Sequence, residues 1–133
     1  MKVLSIEQMT KLKKLGVDTS KASMCYVFFE SDGNKYEKLV VHNEDCYEFA
    51  SLNPIPTFDL QDVLALIPKA INSRFGILTL AIKPSGDFLL YVVSYENRCK
   101  LSNVVWFFNE NILDAAYQML IWVIENGHLK TMI

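Results

Sequence analysis

The sequence predicts a single α+β domain over residues 1–133, an antiparallel sheet of about five strands with three helices mainly on one face, in the order α-β-β-α-β-β-β-α. Three observations carry that prediction. Residues 109–127 (NENILDAAYQMLIWVIENG) hold an unbroken helical pattern with a start and a stop signal. Two pairs of β-branched and aromatic runs each flank a turn signal, which reads as two hairpins. A capping box near the amino end opens a helix before any strand.

Taken in order, Ser5-Ile6-Glu7-Gln8 is that capping box, followed by Met9, Leu12 and Leu15 at helical spacing. Gly16 ends the helix in the left-handed conformation, with Val17 placed to press on Leu12. Asp18-Thr19-Ser20 favours a turn. Residues 24–30 and 35–42 then form a hairpin around Asp32-Gly33. Over residues 43–58, Asn43-Glu44-Asp45 suits the cap of a short helix, and Pro54 and Pro56 force Ile55 into an extended form. A second helix opens at Asp59-Leu60-Gln61-Asp62 and kinks or ends at Pro68, which has no amide to give Leu64. Residues 75–83 and 88–96 make a second hairpin through Pro84-Ser85-Gly86-Asp87. A fifth strand within 99–108, centred on 104–107, feeds directly into the cap at Asn109.

The final helix carries more apolar surface than one sheet needs. On a helical wheel its apolar residues fill roughly 220°, against about 100° for a helix lying on a single sheet. The surplus predicts a second partner, either another helix of the chain or a second subunit. Trp122 stands at the margin of the polar arc beside Gln118 and Glu125, and Ile121 falls inside it. Tryptophan is enriched at the centres of protein contacts, so both are candidate interface residues.

With 51% hydrophobic and 21% charged residues, five Gly and four Pro, the chain has the composition of a folded domain. A formal charge of -2 argues against a nucleic-acid footprint. The cluster Lys11, Lys13 and Lys14 reads as a solvated helix face. The amino end lacks the apolar region of a signal peptide, and no run is long enough to span a bilayer, so a cytoplasmic protein without membrane contact is expected. The three cysteines Cys25, Cys46 and Cys99 follow no disulfide spacing and fit reduced thiols.

Chemistry is sparsely signalled. His42, Asp45 and Cys46 are the one grouping of base, acid and nucleophile types, and a Cys46–His42 pair is the only candidate catalytic set. The alternative is a strand-end histidine beside a half-buried thiol. His128 suits the carboxyl end of the last helix. Neither metal-ligand spacings nor glycine-rich phosphate loops occur, so no metal and no cofactor are expected. Phe28-Phe29 and Trp106-Phe107-Phe108 place adjacent rings on opposite sides of a strand, so a sheet covered on one face leaves rings on the other. Phe29, Trp106 and Phe108 are therefore further interface candidates, for a protein in preference to single-stranded nucleic acid.

Residues 4–24 (LSIEQMTKLKKLGVDTSKASM), 56–71 (PTFDLQDVLALIPKAI) and 109–127 together resemble a group of small uncharacterised proteins from gut anaerobic bacteria and their prophages. The resemblance covers somewhat under half of the chain and falls on helices and caps. It implies a bacterial or phage-related cytoplasmic protein and brings no activity, cofactor or catalytic residue with it. The expected function is a non-enzymatic protein-interaction module that self-associates as a homo-oligomer such as a homodimer. The alternatives are a small thiol-dependent enzyme centred on Cys46 and His42, and single-stranded nucleic-acid binding on an aromatic strand face.

Overall fold

In the computed structural model, which describes residues 2–43, 53–74, 76–85, 90–97 and 102–129, the chain forms two compact units, Met1–Asp62 and Val63–Ile133. The class is α+β, as the element order predicts. The described strands, however, divide between two antiparallel sheets instead of lying in one. The two predicted hairpins fall in different sheets, and each sheet gains one short extended segment that local patterning does not specify.

The first unit opens with α1 (Ile6–Lys14), and its capping box is complete: the Ser5 hydroxyl accepts from the Gln8 amide at 3.1 Å and the Gln8 side chain accepts from the Ser5 amide at 2.9 Å. Gly16 takes φ 93° past the end of the helix, and the Val17 amide donates to the Leu12 carbonyl, with both Leu12 and Val17 buried. Asp18 accepts from the Ser20 amide in the predicted turn, and that bond holds its carboxyl below the usual range. The hairpin of β1 (Met24–Ser31) and β2 (Asn34–Val41) turns on Asp32 and Gly33, whose φ values of 53° and 79° match the twist of the strands. Their register runs unbroken from Ser31↔Asn34 to Met24↔Val41.

The stretch forced extended by its prolines becomes β3 (Ile55–Thr57), which pairs with the other side of β1 to give the order β2-β1-β3. The peptide group of Leu4 locks this sheet to the amino end. Its amide donates to the Phe58 carbonyl at 2.9 Å, and its carbonyl accepts from the hydroxyls of Tyr26 and Thr57 at 3.1 and 2.7 Å. The short helix expected after Asn43 lies outside the described residues.

Helix α2 (Leu60–Leu66) starts as Asp59-Leu60-Gln61-Asp62 predicts, with Asp59 and Asp62 capping each other reciprocally at 2.9 and 3.1 Å. The Asp62 carboxylate also accepts from the amide and the hydroxyl of Ser23, at 3.0 and 2.7 Å. It thus joins the helix start to the start of β1. Asp62→Ala removes all three bonds accepted by one carboxylate and should cost about 2 kcal/mol. The check is the urea midpoint, with Ser23→Ala losing less; an unchanged midpoint for Asp62→Ala would show that water replaces these bonds at no cost.

In the second unit α2 ends before Pro68, one of the two outcomes expected from sequence, and the following residues form β4 (Ala70–Ser73), a strand absent from the predicted order. Strands β5 (Gly76–Ser85), β6 (Leu90–Asn97) and β7 (Ser102–Asn109) complete an antiparallel sheet in the order β4-β5-β6-β7. Helix α3 (Ile112–Glu125) lies across β6 and β7. Its cap is Asn111, whose side chain accepts from the Leu113 amide, and not Asn109. Asn109 instead closes β7 and accepts from the Asn111 amide through its side chain. The helix stops through Gly127 at φ 73°, with the His128 amide donating to the Val123 carbonyl.

Under the helix, Val93 and Tyr95 of β6 and Leu78 of β5 are buried together with Ala115, Ala116, Met119 and Val123. The Tyr95 hydroxyl donates to the Pro68 carbonyl at 2.5 Å. Tyr95 also meets the Trp122 ring, centroids 6.0 Å apart. No helix among the described residues is long and apolar enough to cross a membrane.

Candidate functional site

Strand alternation decides which rings of the second unit meet water. On β6, Val93 and Tyr95 point to the helix, so Val92, Ser94 and Glu96 point away from it. Register carries this outer face onto the neighbouring strands. Trp106 stands beside Ser94, which stands beside Ala81, and Phe108 stands beside Val92, which stands beside Lys83. Trp106 is 50% exposed and Phe108 is 56% exposed. Ile77 on β5 adds a further exposed apolar side chain to the same face.

Only one charged pair crosses that face among the described contacts. Lys83 Nζ donates to Glu96 Oε1 at 2.6 Å, and the Ser94 hydroxyl reaches the same oxygen at 3.4 Å. Because Lys83 faces Val92 and Glu96 faces Thr79, the ion pair passes over the Ala81–Ser94 pair between those rows. Ser94 accordingly has 1% of its surface exposed although it lies on the outer face. As a solvent-facing ion pair it adds little stability, well under about 1 kcal/mol. Its effect is chemical: the cation is taken up inside the chain, and the β7 side of the face is left to the two rings.

The remaining candidates belong to the first unit or to α3. Phe29 stacks on Tyr36 across the first hairpin, centroids 5.4 Å apart at 22°. The two-residue turn makes paired positions sum to 65, so Tyr36 was recoverable as the partner of Phe29. Trp122 is half-buried between Tyr95 and the His128 ring, which stacks on it at 5.4 Å. Ile121 retains 9% exposure, and Leu113, Leu120 and Ile124 on the same flank are buried too. The surplus apolar arc of α3 is therefore largely out of water in a single chain.

His42 sits at the end of β2, where its Nδ1 lies 2.9 Å from the Ala22 carbonyl oxygen and its amide donates to the Ser23 carbonyl. A carbonyl only accepts, so Nδ1 carries the proton and the ring is oriented by that bond. Cys46 and Asp45 lie outside the described residues, and Cys25 is buried in β1. Among the described residues no group of His, Cys, Asp or Glu is arranged to hold a metal ion. A cavity of about 240 Å³ in the first unit is lined by Met9, Thr10, Lys13, Thr19 and residues 53–56. Among the described residues its lining holds one charged side chain and no carboxylate, imidazole or thiol. No protein-family model, no curated protein and no solved structure matches the chain.

Proposed function

We propose that this chain is a cytoplasmic, non-enzymatic protein-interaction module that associates with itself through the outer face of β6 and β7. The observation that carries the reading is the pair of half-exposed rings, Trp106 and Phe108, side by side on a face that the mutually neutralising Lys83–Glu96 pair crosses. Exposed aromatic surface of this kind favours a protein partner over water. Single-stranded nucleic acid fits less well, because stacking platforms need a cationic track for phosphates and Lys83 is held by Glu96.

Trp106→Ser tests the reading. The residue is exposed, so the variant should fold and melt like the parent. Sedimentation velocity across a concentration series should show the parent passing from monomer to dimer and the variant remaining monomeric. In the parent, association should also shield one of the two tryptophans from acrylamide. A parent that stays monomeric throughout would end the self-association reading.

A further inference from the structure

Resting on that reading, we infer that two copies join by antiparallel pairing of β7 with itself, which makes one eight-stranded sheet from two four-stranded ones. The described strands leave four sheet edges: β2, β3, β4 and β7. Proteins blunt exposed edges with charge, proline or brevity. Strand β2 carries Lys35, Glu37 and Lys38; β3 has three residues, one of them Pro56, and follows Pro54; β4 has four residues. Strand β7 has eight residues, SNVVWFFN, with no charge and no proline. Its backbone is bonded to β6 on one side, and it packs chiefly against β6 and α3. The outward backbone groups of such an edge are complementary to another extended strand.

Charge and register favour a second copy as that strand. An uncharged strand meets its own copy without repulsion, and the nearest charge in sequence, Glu110, lies beyond the paired stretch. Tyr95 faces Val105 while Glu96 faces Asn103, so Val104 is the extra residue of a bulge and residues 105–109 are the uninterrupted part of β7. Opposed residues must share a face of the joined sheet, which places the two-fold axis on a residue and not between two. Centring it on Phe107 uses all five uninterrupted residues. Trp106 of each copy then lies opposite Phe108 of the other, and the two Glu110 carboxylates stand about 20 Å apart. Two half-exposed rings bury roughly 200 Å² per copy. With the edge backbone the total stays under about 1,200 Å², the range of weak, reversible contacts, so a micromolar dimer is expected.

The test is a sedimentation series from micromolar to millimolar on the full chain, with Phe108→Glu and the double variant Phe108→Glu/Trp106→Lys, each checked for parental circular dichroism. Phe108→Glu should weaken dimerisation by at least about tenfold, because it sets a carboxylate against a ring of the other copy. The double variant should regain association, since in this register each new carboxylate faces a new ammonium, and the regained part should fade with salt. A parental dimer that Phe108→Glu weakens and the double variant does not restore overturns the pairing while leaving the aromatic face as the contact. A parental dimer indifferent to Phe108→Glu overturns both, as does a parent that is monomeric at every concentration.

Discussion

Ala116→Glu should leave the chain unfolded or insoluble. Ala116 is fully buried on the apolar side of α3, as are Ala115 and Met119. Small side chains there let the helix backbone approach the strands, and a glutamate adds both volume and charge. Overpacking alone costs about 1–3 kcal/mol, and a buried carboxylate without a partner costs several more. Native domains hold only about 5–15 kcal/mol in total, so this one change consumes most or all of the margin. Soluble yield and far-ultraviolet circular dichroism decide the matter, with Gln118→Glu on the exposed side of the same helix as a control that should fold normally. A soluble, cooperatively melting Ala116→Glu protein would mean that another face of α3 meets the sheet.

The second large effect is expected at Tyr95. Its ring fills the space between β6 and α3, and its hydroxyl supplies the Pro68 carbonyl with a donor. Tyr95→Ala should cost about 3–5 kcal/mol, as truncation of a buried aromatic does, whereas Tyr95→Phe keeps the ring, orphans one acceptor and should cost about 1–2 kcal/mol. The two variants also separate by pH. Burial pushes the Tyr95 hydroxyl well above its ordinary value of 10.0, so the folded chain keeps a proton that the unfolded chain gives up. Stability from this group is complete below pH 10 or so and is lost as pH rises towards the folded value. Tyr26 and Tyr117 are raised by burial in the same sense. Urea titrations at pH 8 to about 11.5 should therefore show stability falling at the alkaline end, with a shallower fall in Tyr95→Phe. Equal slopes in the two proteins would show that Tyr95 ionises as freely folded as unfolded.

Features that are local in sequence were legible, because their physics is local. Ser5 and Gln8 are three residues apart and cap each other; Asp32-Gly33 sets the hairpin register; Gly16 and Gly127 adopt positive φ where the helical patterns stop. The division into two sheets was not legible. Strands β3 and β4 are three and four residues long, too short to show alternation, and β3 pairs with a strand some thirty residues earlier. The true cap at Asn111 was hidden because Asn109 and Asn111 are chemically alike and only the length of β7 distinguishes them. At the candidate surface, alternation placed Trp106 and Phe108 on the outward side. A helical wheel cannot register what lies beyond the sheet, so it set Ile121 among polar residues although the chain buries it. The bulge at Val104, which defines the uninterrupted stretch of β7, has no marker in the sequence.

The peptide group of Leu4 bears on the order in which the first unit assembles. The β1–β2 hairpin closes over a two-residue turn, an event on the scale of about 1–10 μs, whereas Leu4 bonds with residues 57 and 58, more than fifty positions away. The entropy of closing so long a loop is not repaid until both ends have something to join. The acceptor at Phe58 and the donor at Thr57 take their places beside Tyr26 only when β3 has found β1. The amino-terminal segment is thus held by partners that stand together only when β3 lies on β1, so weakening the β1–β3 pairing should free α1 as well.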